Sequence, residues 1–205
     1  MAKRSLADRL ADRLKPHIRF WGRIVVDRET DRFLATLPIA SLRAVEVSGS
    51  AHARRGWRSY VATEYPAFDL CAGETPDLRA DVVICEQVLE HLPDPLMAAS
   101  NLFHMLPPGG HAVVSVPFLV KIHREPGDFW RFSADGLRLL LGKVGFEVLS
   151  TGDWGNRLCL LANLWRWCPY VPGMPLWRSA DLPIIVWAFA RRPVAAVAEA
   201  PPATA

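Results

Sequence analysis

The sequence predicts an α/β fold with a doubly wound, mostly parallel sheet. Two uninterrupted apolar segments, Val82 to Cys85 and Ala112 to Val116, are typical of parallel strands that are buried on both faces. Between them the sequence predicts a helix with Asp94 as its N-cap and Pro95 at its first position. The run Pro107 to Gly110 ends this helix. Strand, helix and strand in this order form a βαβ unit, from which such sheets are built.

The other elements are predicted from their periodicity and end signals. Residues 5–20 contain the repeat LADRLADRL, whose leucines recur every four residues and predict a helix from Ser5 to Pro16 that covers a sheet edge. A later helix is predicted with Ser133 as its cap and Gly145 at its end, followed by a strand at Phe146 to Leu149. Ile184 to Ala190 is predicted to be the last buried strand.

The length of 205 residues is typical of a single α/β domain. We assign residues 1–192 to this domain, with 1–40 as an N-terminal helical cover and 43–190 as the core sheet. Residues 154–180 are a tryptophan-rich insertion. Residues 193–205 are rich in Ala and Pro, have little with which to form a core, and are predicted to be a disordered tail.

Cysteine usage and hydropathy indicate the compartment. The four cysteines show no CxxC or metal-ligand spacing, which favours reduced thiols in a cytoplasmic protein. No apolar run approaches the roughly 18 residues of a transmembrane helix, and the N-terminus is too charged for a signal peptide. Residues 1–58 hold 13 Lys or Arg against 6 Asp or Glu. This basic region is either a solvated helix surface or a face for phosphate, lipid headgroups or nucleic acid.

Three segments carry a resemblance to a known family. The pattern D-V-V-x-x-E-Q-V-L-E-H-L-x-D-P, which starts at Asp81, and the following L-x-P-G-G-x-x-x-x-x-V-P resemble motifs of class I S-adenosylmethionine-dependent methyltransferases. RAVEVSGS, from Arg43 to Ser50, is similar to their first motif. The segment from Asp128 to Val148 resembles one bacterial methyltransferase-domain subgroup. The resemblance implies a Rossmann-like, seven-stranded sheet whose last strand is antiparallel.

The resemblance also implies S-adenosyl-L-methionine as the cofactor. Its pocket needs a glycine where the backbone passes close to the ligand, and Gly49 suits this role because it lacks a Cβ atom. Glu46 resembles the acidic residue that helps to hold the methionine end in this family. The usual G-x-G-x-G is reduced here to Ser48-Gly49-Ser50, so one glycine carries this signal.

Two registers compete for the ribose-binding carboxylate. In the preferred register, Ser59 to Thr63 is the second strand, Glu64 binds the ribose hydroxyls, and Asp69 lies beside the adenine at the end of a short third strand. In the other register, Ala67 to Leu70 is the second strand, Asp69 binds the ribose, and the third strand is missing. We prefer the first because a buried parallel sheet tolerates a shortened crossover better than a lost strand.

The residues that follow the predicted strand Val82 to Cys85 are candidates for the reaction itself. The resemblance implies that Glu86 and Gln87 meet the methyl group and its acceptor, with His91 close behind. Glu86 is a candidate catalytic residue. A base is needed only if the acceptor is a hydroxyl or a protonated amine. His91 has a structural alternative, a hydrogen bond to a backbone carbonyl near the helix start.

The loop that follows the predicted strand Ala112 to Val116 is expected to bind the acceptor. It carries His123, Asp128, Trp130 and Arg131, and loops at this end of a sheet determine substrate choice. His123 is the candidate catalytic base, Asp128 could orient it, and Trp130 with Arg131 could clamp a planar or anionic acceptor. The alternative is an Asp128–Arg131 ion pair and a tryptophan that fills the core.

The resemblance implies a small-molecule or glycan-type acceptor, and no nucleic-acid partner is expected. Four of the eight tryptophans lie between Trp154 and Trp177, and this segment is predicted to be a lid or a homodimer surface rather than a membrane-surface contact. No metal is expected, because His91, His104, His111 and His123 show no ligand spacing. The competing functional class is a catalytically silent binding or scaffolding domain, which the reduced first motif favours.

Overall fold

A six-stranded sheet forms the centre of the protein. The computed structural model describes residues 19–73, 77–124 and 127–194. The strands are β1 (Arg43–Val47), β2 (Ser59–Thr63), β3 (Val82–Glu86), β4 (His111–Pro117), β5 (Glu147–Trp154) and β6 (Ile185–Arg191). Their order across the sheet is β2-β1-β3-β4-β6-β5. The first four strands are parallel, and β6 is antiparallel to both of its neighbours.

Within the described residues four α-helices pack around this sheet, and three of them begin at a residue that caps them through its side chain. The helices are α1 (Ile24–Leu34), α2 (Pro95–Met105), α3 (Ala134–Lys143) and α4 (Arg157–Trp165). As predicted, Asp94 accepts a hydrogen bond from the Met97 amide at 2.9 Å and Ser133 accepts one from the Gly136 amide at 3.1 Å. Asn156 caps α4 in the same way. Each cap satisfies a backbone donor that has no partner inside the helix.

The two faces of the sheet support separate apolar clusters. Because successive side chains of a strand point to opposite faces, Val83 and Cys85 of β3 pack in the cluster that contains α2 residues such as Leu102. Val82 and Ile84 pack in the cluster that contains Val26 and Leu34 of α1. The central strands are therefore buried on both sides, as their continuous apolar sequences predict.

The predicted count of seven strands is wrong, because the described residues form six. The register that makes Ser59–Thr63 the second strand is confirmed by its parallel pairing with β1. The short third strand is absent: the Phe68 amide donates to the Glu64 carbonyl at 3.0 Å, and the Asp69 side chain accepts from the Cys71 amide at 2.8 Å. The segment after β2 must also cross to the far side of β1, and parallel neighbours need long crossovers.

Strand β5 extends beyond the predicted Phe146 to Leu149 and ends at Trp154. Its antiparallel partner β6 explains this length, because Trp154 pairs with Ile185 at the far end of the register. The predicted helix within residues 5–20 falls outside the described residues except for 19 and 20, and so does the predicted tail from residue 195 onward. Across the described residues, no helix is long and apolar enough to cross a membrane.

Candidate functional site

The carboxyl ends of β1 and β3 each lead into a residue with left-handed backbone geometry. Ser48 has φ of 54° and Gln87 has φ of 57°, values that non-glycine residues rarely adopt outside functional or strained turns. Hydrogen bonds to neighbouring strands hold both: the Ser48 amide donates to the Thr63 carbonyl at 2.9 Å and the Gln87 amide to the Ser115 carbonyl at 2.7 Å. The chain therefore turns sharply at the two adjacent strand ends where a parallel sheet binds ligands.

Three adjoining cavities open at this end of the sheet, and they share residues in pairs. Cavity A is about 520 Å³, cavity B about 420 Å³ and cavity C about 530 Å³ in volume. Val47 lines A and B, Arg23 lines B and C, and Gln87 and His91 line A and C. Cavity A also contains Ser48, Tyr65 and Asp69; cavity B contains Glu46, Gly49 and Glu86; cavity C contains Phe20, His123, Asn163 and Trp167.

Glu46, the last but one residue of β1, fixes the loop that follows its strand. Its buried carboxylate accepts hydrogen bonds from the backbone amides of Ala51 and His52, both at 2.9 Å, and from the Tyr60 hydroxyl at 2.6 Å. Burial and the bond to Glu46 raise the pKa of Tyr60. A Cβ atom added to Gly49 would lie 2.6 Å from Glu46 Oε1. The close approach that selects glycine here is thus made by a carboxylate of the same chain.

Glu86, at the end of β3, connects the sheet to the N-terminal segment. Its carboxylate accepts hydrogen bonds from Arg23 at 2.7 Å and Thr30 at 3.1 Å, and lies 3.4 Å from Nε2 of His52. Since Arg55 Nε donates to His52 Nδ1, the proton of that imidazole is on Nε2 and faces Glu86. Burial disfavours the carboxylate, but the bond from His52 and the charge of Arg23 outweigh it and lower the pKa of Glu86 to about 2.

Arg23, Thr30 and His52 were not among the site residues predicted from the sequence. They come from the N-terminal segment and from the loop after β1, and they meet Glu86 only in the folded chain. The one sequence signal was the basic surplus of residues 1–58. It points to an anion-binding region without showing which arginine reaches Glu86.

The two candidates for the ribose carboxylate occupy different positions. Glu64 follows β2 directly and is exposed, and it is not among the described residues that line cavity A. Asp69 lines cavity A beside Tyr65 and Leu70, although one of its oxygens already accepts the Cys71 amide. Of the two, the structure brings only Asp69 together with Ser48 and Gln87.

The loop after β4 is organised by Asp128, whose side chain is 2% exposed. It accepts hydrogen bonds from the His123 amide at 2.7 Å and from Arg131 Nη2 at 2.8 Å, and the bond from Arg131 lowers its pKa. The Asp128–Arg131 ion pair that the sequence left as an alternative is therefore present. The Trp130 indole donates to the Leu92 carbonyl at 2.9 Å, and Trp130 is not among the described residues that line cavities A and C.

A further carboxylate, that of Glu90, lies close to the imidazole rings of His91 and His123. Glu90 is completely buried, and within the described residues neither carboxylate oxygen has a hydrogen-bond partner. Its Oε1 lies 3.5 Å from His91 Nε2 and 3.9 Å from His123 Nε2. Burial raises the pKa of Glu90 to about 7. His91 Nδ1 lies 2.6 Å from the Gly127 carbonyl in the loop after β4, rather than bonding to a carbonyl near the helix start.

The sequence analysis also missed Glu90. The available signal was an acidic residue inside the apolar segment VLEHL, from Val88 to Leu92, since buried carboxylates are rare unless they are paired. His123 joins this pair from a loop far along the chain, so ligand spacing could not reveal the group.

Comparison with known proteins identifies the family to which this chain belongs. Residues 30–151 match the model of a family described as "Methyltransferase domain". A protein from Mycolicibacterium smegmatis named "Probable S-adenosylmethionine-dependent methyltransferase" is 34% identical over 45% of this chain. The match covers 40% of that relative's length.

Solved structures share the fold at low sequence identity. A glycopeptide N-methyltransferase in complex with S-adenosyl-L-homocysteine superimposes with a TM-score of 0.53 at 12% identity, over 80% of this chain and 89% of that one. A cyclase superimposes with a TM-score of 0.52 at 19% identity, over 82% and 81%. The predicted family and its cofactor, S-adenosylmethionine, are confirmed, and the chain belongs to the methyltransferase domain family of class I S-adenosylmethionine-dependent methyltransferases.

Proposed function

We propose that this chain transfers the methyl group of S-adenosylmethionine to a small-molecule or glycan-type acceptor in cavity C. The observation that carries the proposal is the pairwise sharing of residues among the three cavities. The cofactor has a nucleoside end and an amino-acid end joined at the sulfonium, which suits two cavities that meet at Val47. Cavity C shares Gln87 with cavity A and Arg23 with cavity B. An acceptor there would approach the junction between the two halves of the cofactor.

We assign the adenosine to cavity A and the methionine end to cavity B. In cavity A, Tyr65 offers an aromatic face for the adenine, and Asp69 is favoured over Glu64 for the ribose or the adenine because it lines the cavity. In cavity B, the Arg23 guanidinium would attract the carboxylate of the methionine end, and the Glu46 carboxylate would attract its ammonium group.

Positioning would supply most of the rate. The leaving group of a sulfonium departs as a neutral thioether, so no leaving-group acid is needed. Alignment and exclusion of water can lower the barrier by several kcal/mol, of order 7 or more in favourable cases. Glu86 was a catalytic candidate, but its carboxylate is already bound by Arg23, Thr30 and His52. We therefore favour a positioning role for Glu86 and leave proton transfer to His123, which lines cavity C.

The lining of cavity C supports a compact, partly polar acceptor. Its volume of about 530 Å³ lies within the range of small-molecule sites. Phe20 and Trp167 supply aromatic surface, while His123 and Asn163 supply hydrogen-bonding groups. This combination fits a ring that carries polar substituents, such as a sugar or a phenol.

A silent binding domain is the second candidate, and one observation favours it. The Glu46 carboxylate already accepts three hydrogen bonds from its own chain, which leaves it less free to hold the methionine end. A silent domain would bind neither S-adenosylmethionine nor S-adenosylhomocysteine, or would bind them without turnover.

Transfer of a labelled methyl group tests the proposal directly. The protein is incubated with methyl-labelled S-adenosylmethionine and with separate pools of sugar nucleotides, lipid-linked sugars and small phenols. We expect label in one pool and an equal amount of S-adenosylhomocysteine. Cofactor binding without transfer to any pool would favour the silent domain.

Gly49→Ala is expected to weaken cofactor binding by at least about tenfold. The added Cβ would meet Glu46 Oε1 at 2.6 Å, so the carboxylate must shift, which would weaken its bonds to the amides of Ala51 and His52. Loss of these buried bonds should cost about 1–3 kcal/mol of stability. Calorimetric titration and urea unfolding measure the two effects.

Gly142→Ala is the matched control for this substitution. Gly142 lies in α3, and nothing lies within 4 Å of the position that its Cβ would take. This variant should bind cofactor as the unmodified chain does and be slightly more stable, by about 0.4–1 kcal/mol. Unchanged cofactor affinity in a folded Gly49→Ala protein would remove Gly49 and Glu46 from the cofactor site.

A further inference from the structure

We propose that Glu90, His91 and His123 bind a divalent transition-metal ion, with Zn²⁺ as the best match, in the wall between cavities A and C. One ligand atom from each residue can be chosen so that all three lie within 4.8 Å of one another. The inference does not depend on methyl transfer, because it concerns only the side chains of this chain.

The first support is the unpartnered carboxylate. Glu90 is 0% exposed, and neither of its oxygens has a hydrogen-bond partner among the described residues. A buried polar group without a partner is costly, and a buried charge is normally paired or bound to a metal. A cation at Oε1 would supply the missing partner and favour the ionised form.

The second support is the way the histidines are held. His91 Nδ1 lies 2.6 Å from the Gly127 carbonyl, and His123 Nδ1 lies 3.3 Å from the Lys121 carbonyl and 3.4 Å from Asp128 Oδ2. Carbonyl and carboxylate oxygens only accept hydrogen bonds, so Nδ1 of both rings carries the proton. The Nε2 lone pairs are left for a ligand. Metal-binding histidines are typically fixed by such outer bonds.

The third support is the convergence of these Nε2 atoms on one oxygen. They lie 3.5 Å and 3.9 Å from Glu90 Oε1. In a tetrahedral zinc site, with bonds of about 2.0–2.1 Å, ligand atoms are about 3.3 Å apart. The two distances to Glu90 are close to this value, and the third ligand-atom distance, at most 4.8 Å, would have to shorten when an ion binds.

Ligand chemistry selects the class of ion. Two imidazole nitrogens and one carboxylate suit Zn²⁺, Fe²⁺ or Co²⁺, whereas Mg²⁺ and Ca²⁺ prefer oxygen ligands. Three protein ligands leave a position open, as in catalytic rather than structural zinc sites. His91 and His123 both line cavity C, so an oxygen atom of a molecule in that cavity could take the open position.

Metal binding can be measured without cofactor or acceptor. The full chain is stripped with a chelator, dialysed and titrated with ZnCl₂ in a calorimeter, and a parallel sample is titrated with CoCl₂ while its visible absorption is recorded. We expect saturable binding of one ion per chain and cobalt bands typical of low coordination. MgCl₂ should give no comparable binding.

Variants locate the site. Glu90→Gln and His123→Ala should each weaken zinc binding by about 100-fold or more, and Asp128→Asn by about 10–100-fold as an outer-shell change. His104→Ala is the control, since His104 is exposed on α2 and its described hydrogen bonds go to Ser100. It should bind zinc like the unmodified chain.

Three results would overturn the inference: no saturable zinc binding, zinc binding that Glu90→Gln and His123→Ala leave unchanged, or a preference for Mg²⁺ over Zn²⁺. Circular dichroism accompanies each titration so that only folded protein is compared. If Glu90→Gln does not fold, His123→Ala and Asp128→Asn still decide the question. Because no step uses S-adenosylmethionine, failure here would leave the proposed methyl transfer intact. In the metal-loaded chain His123 Nε2 is a ligand and cannot also accept a proton, so the role of His123 as a base belongs to the metal-free chain.

Discussion

His123→Ala should lower turnover by about 10²–10⁴, the range for loss of a general base, while cofactor affinity stays nearly unchanged. His123 lines cavity C but is not among the described residues that line cavities A and B. Its removal should therefore act on the acceptor side alone. The measurement is kcat with saturating acceptor, together with the calorimetric Kd for S-adenosylmethionine on the same preparation.

The control is His104→Ala, which removes an exposed histidine of α2 and should leave both quantities unchanged. A purely structural His123 gives a different result: a lower melting temperature with normal turnover per folded molecule, because the ring contacts of Nδ1 with the Lys121 carbonyl and with Asp128 in the loop after β4 would be lost. A stable variant with full turnover would contradict both roles. Zn²⁺ bound by Glu90, His91 and His123 should change the melting temperature of the unmodified chain but not that of His123→Ala.

Glu86→Gln should lower the free energy of unfolding at pH 7 by about 3 kcal/mol. The pKa of Glu86 is about 2 in the folded protein against the ordinary value of 4.5, and each unit of difference corresponds to about 1.4 kcal/mol. Since the folded pKa lies below the unfolded one, this contribution is present above pH 4.5 and is lost as the pH falls towards 2. Urea unfolding at a series of pH values between about 2 and 7 measures it.

The size of this effect follows from the burial of the charges. Arg23 and Glu86 are largely withdrawn from solvent at 28% and 9% side-chain exposure, and removing one partner of such a pair strands the other. Glu147→Gln is the control, because Glu147 pairs with Arg191 at 47% and 40% exposure and surface pairs contribute about 0–1 kcal/mol. Glu86→Gln with unchanged stability at pH 7, or with an unchanged pH dependence, would contradict this account of Glu86.

Much of the fold could be predicted because the strongest signals are local. The apolar runs of β3 and β4 and the caps Asp94 and Ser133 specify elements without help from distant residues. The absence of a third strand could not be predicted from the sequence. After β2 the chain crosses back over β1, so residues 67–70 have no neighbouring strand with which to pair. The length of β5 depends on pairing with β6, which is a non-local property.

The candidate site likewise contains some residues that the sequence predicts and others that only the folded chain reveals. Glu46 lies near the end of β1, and Gly49, Gln87 and His123 follow strand ends, so the topology alone brings them to one edge of the sheet. Arg23 and His52 reach Glu86 through tertiary contacts that no motif marks. Trp130 was predicted to bind the acceptor. Its indole N–H donates to the Leu92 carbonyl, and Trp130 lines a further cavity with Asp128 and Arg131 rather than cavity A or C, so this role stays a prediction.

Titration of the chain with S-adenosylmethionine tests the central claim most directly. Calorimetry should show one cofactor per chain, with S-adenosylhomocysteine competing for the same site. Asp69→Asn, in cavity A, should weaken binding by about 1–3 kcal/mol if its carboxylate bonds the nucleoside, whereas Glu64→Gln, exposed and outside the described lining of that cavity, should leave it unchanged. Absence of binding by the folded chain, or binding that is insensitive to Asp69→Asn and Gly49→Ala alike, would contradict the assignment of cavities A and B to the cofactor.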